Sequence, residues 1–170
     1  GVSTALSLSL TSAAAITDDG TANLTVTGNA NFSGTAMTLD DTYNFGTLTF
    51  NAAAGLVTIV EASATVLTGV STAGILNLTS LGSITGDGAN SLTVGLGASF
   101  TGTSITLAAG ETYNFGTLTF NSPGAVSISE DSATVLSGVS TADSLVLASA
   151  AALSNDATTN LTVTNNASFS

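Results

Sequence analysis

The chain has no lysine, no arginine and no histidine. Its charge is entirely acidic, and eleven Asp and Glu residues give a net charge of −11. Nucleic-acid binding is excluded, because no side chain can neutralise phosphates. Attraction to anionic lipid headgroups is excluded for the same reason. Lysine–asparagine isopeptide cross-links fall away with the lysine. Charged residues make up 6% of the chain, against about 25% in an ordinary globular domain.

Cysteine is absent as well. That removes disulfides, thiolate metal sites and thiol chemistry, while leaving the compartment open. No apolar run approaches the roughly 18 residues of a membrane-crossing helix, so no membrane insertion is expected. The chain opens on Gly1 with no charged leader region. Both ends read as cuts through a longer repetitive protein.

The missing residue types also bear on catalysis. A general base near neutral pH would have to be a carboxylate with a strongly raised pKa. Nothing basic is present to bind an acidic substrate or stabilise a developing anion. The adjacent acids Asp18–Asp19, Asp40–Asp41 and Glu130–Asp131 are the only candidates for a glycosidase pair. Neighbours of this kind read as solvated turn residues, so no enzyme is expected.

What the chain does contain is repetition. The ten residues TYNFGTLTFN occupy 42–51 and recur unchanged at 112–121. Leu48 and Phe50 alternate with Thr47 and Thr49, the period of a half-buried strand. Tyr43 and Phe45 alternate in the opposite phase, and Gly46 at the phase change marks a corner or bulge. GVSTA begins at Gly1, Gly69 and Gly138, and SATVL begins at Ser63 and Ser132. NLTVTGNANFSGT from Asn23 matches segments starting at Ser91 and Asn160. Asp19, Asp87 and Asp156 correspond, as do Glu61 and Glu130. The units are 1–68, 69–137 and a partial 138–170, one continuous segment over 1–170.

Short apolar pairs recur about every eight residues, with Gly, Asn, Asp, Ser and Thr between them. No stretch has a helical period with caps. The pattern predicts an all-β chain and a parallel β-solenoid, with about three coils per ~69-residue repeat. A tandem β-sandwich array is the competing architecture, but its Greek-key crossovers need longer connections. Three faces of about eight residues give a coil of about 23, stacked at about 4.8 Å, so like residues of successive units would lie about 14 Å apart. Asn44 with Asn114, and Asn51 with Asn121, sit at turns where side-chain amides could bond along the stack.

These blocks resemble the long secreted repeats of filamentous-haemagglutinin-like bacterial surface proteins. The resemblance rests on LNLTSLGSITGDG at 76–88, SLTV and ASFTGTSITL within 91–107, NFGTLTFN, and ISEDSATVLSG at 128–138. It implies a right-handed parallel β-helix, export to the bacterial cell surface, and a role in adhesion or matrix building. It supplies no catalytic residues.

Two functional classes follow. One is a structural extracellular module, a stiff fibre, sheath or adhesin stalk whose partners are copies of itself, head-to-tail or side by side. The other is a surface-binding module that grips polysaccharide or ice through outward Thr, Ser and Asn. The pairs Thr25/Thr27, Thr47/Thr49, Thr117/Thr119 and Thr162/Thr164 are its best feature, although outward threonine is also simply a good strand former. Among cofactors only calcium comes into view. Asp18, Asp19, Asp87 and Asp156 lie in oxygen-rich turns, and calcium takes six to eight oxygens. The alternative for these acids is solvation of a charged fibre. Five N-x-S/T sequons, at Asn23, Asn31, Asn77, Asn160 and Asn166, arise readily by chance in such a composition.

Overall fold

The computed structural model describes residues 1–170 and contains eighteen strands and no helix. In chain order they are β1 (Val2–Ala5), β2 (Leu8–Thr11), β3 (Ile16–Thr17), β4 (Asn23–Ser33), β5 (Met37–Glu61) and β6 (Thr65–Leu67). There follow β7 (Val70–Ser80), β8 (Ile84–Gly86), β9 (Ser91–Thr101), β10 (Ile105–Leu107), β11 (Thr112–Asn121) and β12 (Ala125–Glu130). The last six are β13 (Thr134–Leu136), β14 (Val139–Ala142), β15 (Ser144–Ser149), β16 (Leu153–Asn155), β17 (Asn160–Val163) and β18 (Ala167–Phe169).

Each strand lies parallel on the strand one turn earlier, as in β1–β4, β9–β11 and β14–β17. The chain is therefore a β-solenoid of about 8 turns with a spacing of about 21 residues. The alternation read in TYNFGTLTFN is what the structure buries. In β11, Tyr113, Phe115, Leu118 and Phe120 point into the core, and the residues between them face outward. The phase changes at Gly116, where the β9–β11 register also shifts. A Cβ at Gly116 would sit 2.1 Å from Leu96 O, and one at Gly46 would sit 2.3 Å from Thr27 O. The corner brings two backbones together more closely than any side chain allows, so glycine is required.

One apolar core of 34 buried residues runs through the stack. Phe50 lies over Phe32 and Phe120 over Phe100. Around the corner, Phe45 meets Phe32 and Phe115 meets Phe100, each with ring centroids 5.5 Å apart. Each buried phenylalanine contributes about 1.5–3 kcal/mol, and tilted ring pairs add about 0.5–1.5 kcal/mol. Backbone polar groups are satisfied by 107 backbone–backbone hydrogen bonds, largely between turns, which is what a buried ladder demands.

The turn is shorter than 23 residues, and this changes what stacks on what. A period of about 69 residues at about 21 per turn is not a whole number of turns. Leu48 lies under Leu67 of β6, in the column that continues through β8, β10, β12 and β15. Its repeat counterpart Leu118 lies in another column, with Leu76, Ala98 and Leu136. Identical segments of adjacent units thus stand on different faces. The amides of Asn51 and Asn121 do bond along the stack, but to threonines of the next turn and not to each other. Asn51 Oδ1 accepts from Thr72 Oγ1, and Asn121 Oδ1 from Thr141 Oγ1, both at 3.2 Å. Asn44 and Asn114, for the same reason, do not stack on each other.

Candidate functional site

The most unusual side chains are the two most deeply buried of three buried glutamates, Glu61 at 0% and Glu130 at 2% exposure. Their position follows from the stacking. Residues 42–45 and 112–115 have a strand beneath them, but β5 meets β6 only at Leu48–Leu67, and β11 meets β13 only at Leu118–Leu136. The next turn is cut short at these corners, leaving inward N–H groups without a carbonyl above them. The glutamates supply the missing acceptors. Phe45 N donates to Glu61 Oε1 at 2.9 Å, and Phe115 N donates to Glu130 Oε1 at 2.8 Å. Tyr113 N donates to the adjacent Asp131 Oδ2 at 2.9 Å.

Two hydroxyls complete the first pocket. Ser63 Oγ donates to Glu61 Oε1 at 3.0 Å, and Thr65 Oγ1 donates to Glu61 Oε2 at 2.7 Å. In the second, Ser132 Oγ donates to Glu130 Oε1 at 2.9 Å. There, however, Glu130 Oε2 and Thr134 Oγ1 are buried without partners. Burial pushes the Glu61 carboxyl above the ordinary glutamate range, against the opposing pull of its Thr65, Phe45 and Ser63 hydrogen bonds. The sequence signal was Glu-x-Ser-x-Thr, present at 61–65 and 130–134. It could be seen as a repeat, but not as a strand-edge plug, because the N–H it serves lies 15 or 16 residues away.

The four calcium candidates divide. Asp19, Asp87 and Asp156 each fold back on their own turn, accepting from the N–H of Thr21, Ala89 and Thr158 respectively. Hydrogen bonding holds all three below the usual aspartate range. Asp156 is held at about 2, chiefly by the Thr158 hydroxyl and then by Ser137. Positive φ at Gly20 (77°) and Gly88 (89°) turns the chain just after two of them. These are turn-capping acids. Asp18 differs, because its carboxylate lies within 4.8 Å of those of Asp40 and Asp41. Asp18 Oδ2 accepts from Tyr43 Oη and Asp40 N, both at 2.8 Å, and Asp41 Oδ2 accepts from Ala22 N at 2.8 Å. The three carboxylates carry six oxygens, of which Asp18 Oδ2 and Asp41 Oδ2 already accept hydrogen bonds, and calcium takes six to eight oxygens from carboxylates, carbonyls and water.

The second unit rebuilds this corner with different residues. Gly86 stands where the first unit has Asp18, and Glu111 where it has Asp41. Tyr113 Oη donates to Glu111 Oε2 at 2.8 Å, and Gly88 N donates to Glu111 Oε1 at 2.7 Å. A Cβ at Gly86 would lie 2.1 Å from Glu111 Oε1. Each tyrosine keeps an acidic partner, supplied from opposite sides of the pocket. Burial, and then the Asp18 or Glu111 hydrogen bond, raises both phenol pKa values.

A cavity of about 400 Å³ opens beside Asp18, lined by Leu8, Leu10, Ile16, Leu24 and Phe32 among others. It is the first turns' share of the apolar core, seen from the end of the stack. The outward threonines do not make one flat grid. Thr47/Thr49 and Thr117/Thr119 stand on different faces. The hydroxyl of Thr49 donates to Thr68 O at 2.9 Å, and that of Thr119 to Ser137 O at 2.7 Å. Comparison with protein-family models, curated proteins and solved structures finds no match to this chain.

Proposed function

We propose that this chain is a structural module, a length of stiff β-solenoid serving in an extracellular fibre, sheath or adhesin stalk. The observation that carries this reading is the single apolar column under a parallel ladder. Every added turn extends core and hydrogen bonding together, so stiffness grows with length. The two most deeply buried acids have backbone amides as partners, which gives them a role in closing corners. The resemblance to secreted bacterial surface repeats supports the extracellular placement. The broken threonine rows weigh against ice or polysaccharide as a ligand.

Antibodies against the 170-residue chain test the placement. They should label intact source cells, and label elongated structures on them. Labelling only after permeabilisation would overturn the proposal. A glycan array and an ice-shaping assay test the competing role, and both should be silent; saturable binding or faceted ice would replace the structural reading with a binding one.

A further inference from the structure

The two glutamate plugs are built from nearly the same letters, EASAT at 61–65 and EDSAT at 130–134, yet they close differently. In both, Oε1 takes the same two donors. Glu61 Oε1 accepts from Phe45 N and Ser63 Oγ, and Glu130 Oε1 accepts from Phe115 N and Ser132 Oγ. That leaves each Oε2 for the threonine four residues on. In the first plug Thr65 Oγ1 donates to Glu61 Oε2 at 2.7 Å. In the second, Glu130 Oε2 and Thr134 Oγ1 are both enclosed and neither has a partner. Thr134 is 0% exposed and Glu130 2%. Buried polar atoms are partnered with few exceptions, so two orphans in one plug call for a physical cause.

The cause lies in the turn above. Gly82 lies over the first plug, and its counterpart over the second is Ala151. A Cβ on Gly82 would sit 2.7 Å from both N and Cα of Ala64. The first plug is thus closed by a backbone that passes too near Ala64 to carry a methyl group. Ala151 carries that methyl over Ala133, and the covering segment is held differently. Gly82 N donates to Ser63 O at 3.1 Å, a bond with no counterpart between Ala151 and Ser132. Ser80 Oγ accepts from Gly82 N at 3.2 Å, whereas Ser149 Oγ accepts from Thr134 N at 3.2 Å. Thr134 is drawn toward the next turn and away from Glu130.

We infer that the second plug is a binding site for one internal water molecule, which bridges Glu130 Oε2 and Thr134 Oγ1. Water donates one hydrogen to the carboxylate oxygen and makes a second bond with the hydroxyl, and a buried water needs two to four polar partners. Calcium or magnesium would need about six oxygens, and two are offered. The site lies inside the stack, between turns that both belong to this chain. It depends on neither the extracellular placement nor the structural role.

The experiment is a crystal structure of the whole chain at a resolution that shows ordered water. One density peak should lie within hydrogen-bond distance of both Glu130 Oε2 and Thr134 Oγ1, with none between Glu61 and Thr65. Crystals grown in rubidium or manganese salts should give no anomalous signal there. In solution, oxygen-17 relaxation dispersion of water counts long-lived internal molecules. Ala151→Gly restores the room found at Gly82, so it should lose one such molecule relative to the parent chain. Thr65→Val, in the plug closed by a direct bond, should lose none. A direct Thr134–Glu130 hydrogen bond in the parent crystal, or an anomalous peak marking a cation, would overturn the inference. So would a water count left unchanged by Ala151→Gly.

Discussion

The amide of Phe115 donates to Oε1 of Glu130 at 2.8 Å, and the side chain there occupies the place of a missing strand. Phe45 and Glu61 repeat the arrangement at 2.9 Å. A solenoid that shortens a turn uncovers the edge of the turn below, and a buried N–H without an acceptor costs about 1–3 kcal/mol. A carboxylate on the last residue of β5 and of β12 reaches into that gap.

Glu61→Ala should therefore destabilise the chain by about 1–3 kcal/mol, because Phe45 N–H is left buried and unpaired. Glu61→Gln keeps an acceptor oxygen and removes a buried charge, so its stability should match or exceed the parent's. Urea unfolding with amide exchange at Phe45 separates the two. Protection at that amide should be lost in the alanine variant and kept in the glutamine variant.

The pH dependence has two arms of opposite sign. Glu61 has its folded pKa raised above 4.5, so its folded state binds the proton more tightly. Its contribution is present below pH 4.5 and fades as pH rises through the raised value. Asp156 has its folded pKa lowered from 3.8 to about 2, so its contribution is present above 3.8 and fades as pH falls toward 2. Unfolding midpoints across pH 2–8 should show Glu61→Gln flattening the upper arm and Asp156→Asn the lower one. An unchanged profile in both variants would contradict this assignment.

Gly116→Ala should cost about 1–3 kcal/mol, since its Cβ would meet Leu96 O and the corner backbone must move. Gly95→Ala is the matched control. Nothing lies within 4 Å of a Cβ there, and the change should stay within about 0.5 kcal/mol. Thermal and urea midpoints of the two variants check the contrast.

Gly86→Asp should be destabilising alone, because it drives a second carboxylate against Glu111 and the Tyr113 hydroxyl. Adding Glu111→Asp recreates the Asp18–Asp41 pair of the first unit and should recover much of the loss. The coupling in a double-mutant cycle should exceed about 0.5 kcal/mol, and additive effects would refute the exchange of partners.

Phe100→Ala should cost about 3–5 kcal/mol as a core truncation. In a solenoid each turn touches only its neighbours, so the loss should be local. Amide exchange should accelerate in β7, β9 and β11 before β1 or β17. Phe169→Ala, at an exposed position, should change little.

Alternation, turn residues and repetition are legible in the sequence. Tyr43 and Phe45 out of phase with Leu48 and Phe50 demanded a corner at Gly46, and the structure bends there. The parallel all-β solenoid followed from short apolar pairs at close, even spacing. The length of a turn did not follow. Leu8 pairs with Ala30 and Ala30 with Leu48, so successive turns take 22 and then 18 residues. Corner lengths vary, and only their sum decides which residues stack. The Asp18–Asp40–Asp41 cluster was hidden for the same reason. Asp18 lies on the turn before the other two, and its sequence neighbour Asp19 looked equally suitable.

The amino-acid sequence alone determined which side of each strand faces the core, because that depends on a period of two within a few residues. It determined the repeat, because that is a matter of matching letters. Only the tertiary structure decided that matching letters stand on different faces, and that two glutamates take the place of a missing strand over Phe45 and Phe115. Inter-turn register accumulates over every corner in between, and no local pattern records it.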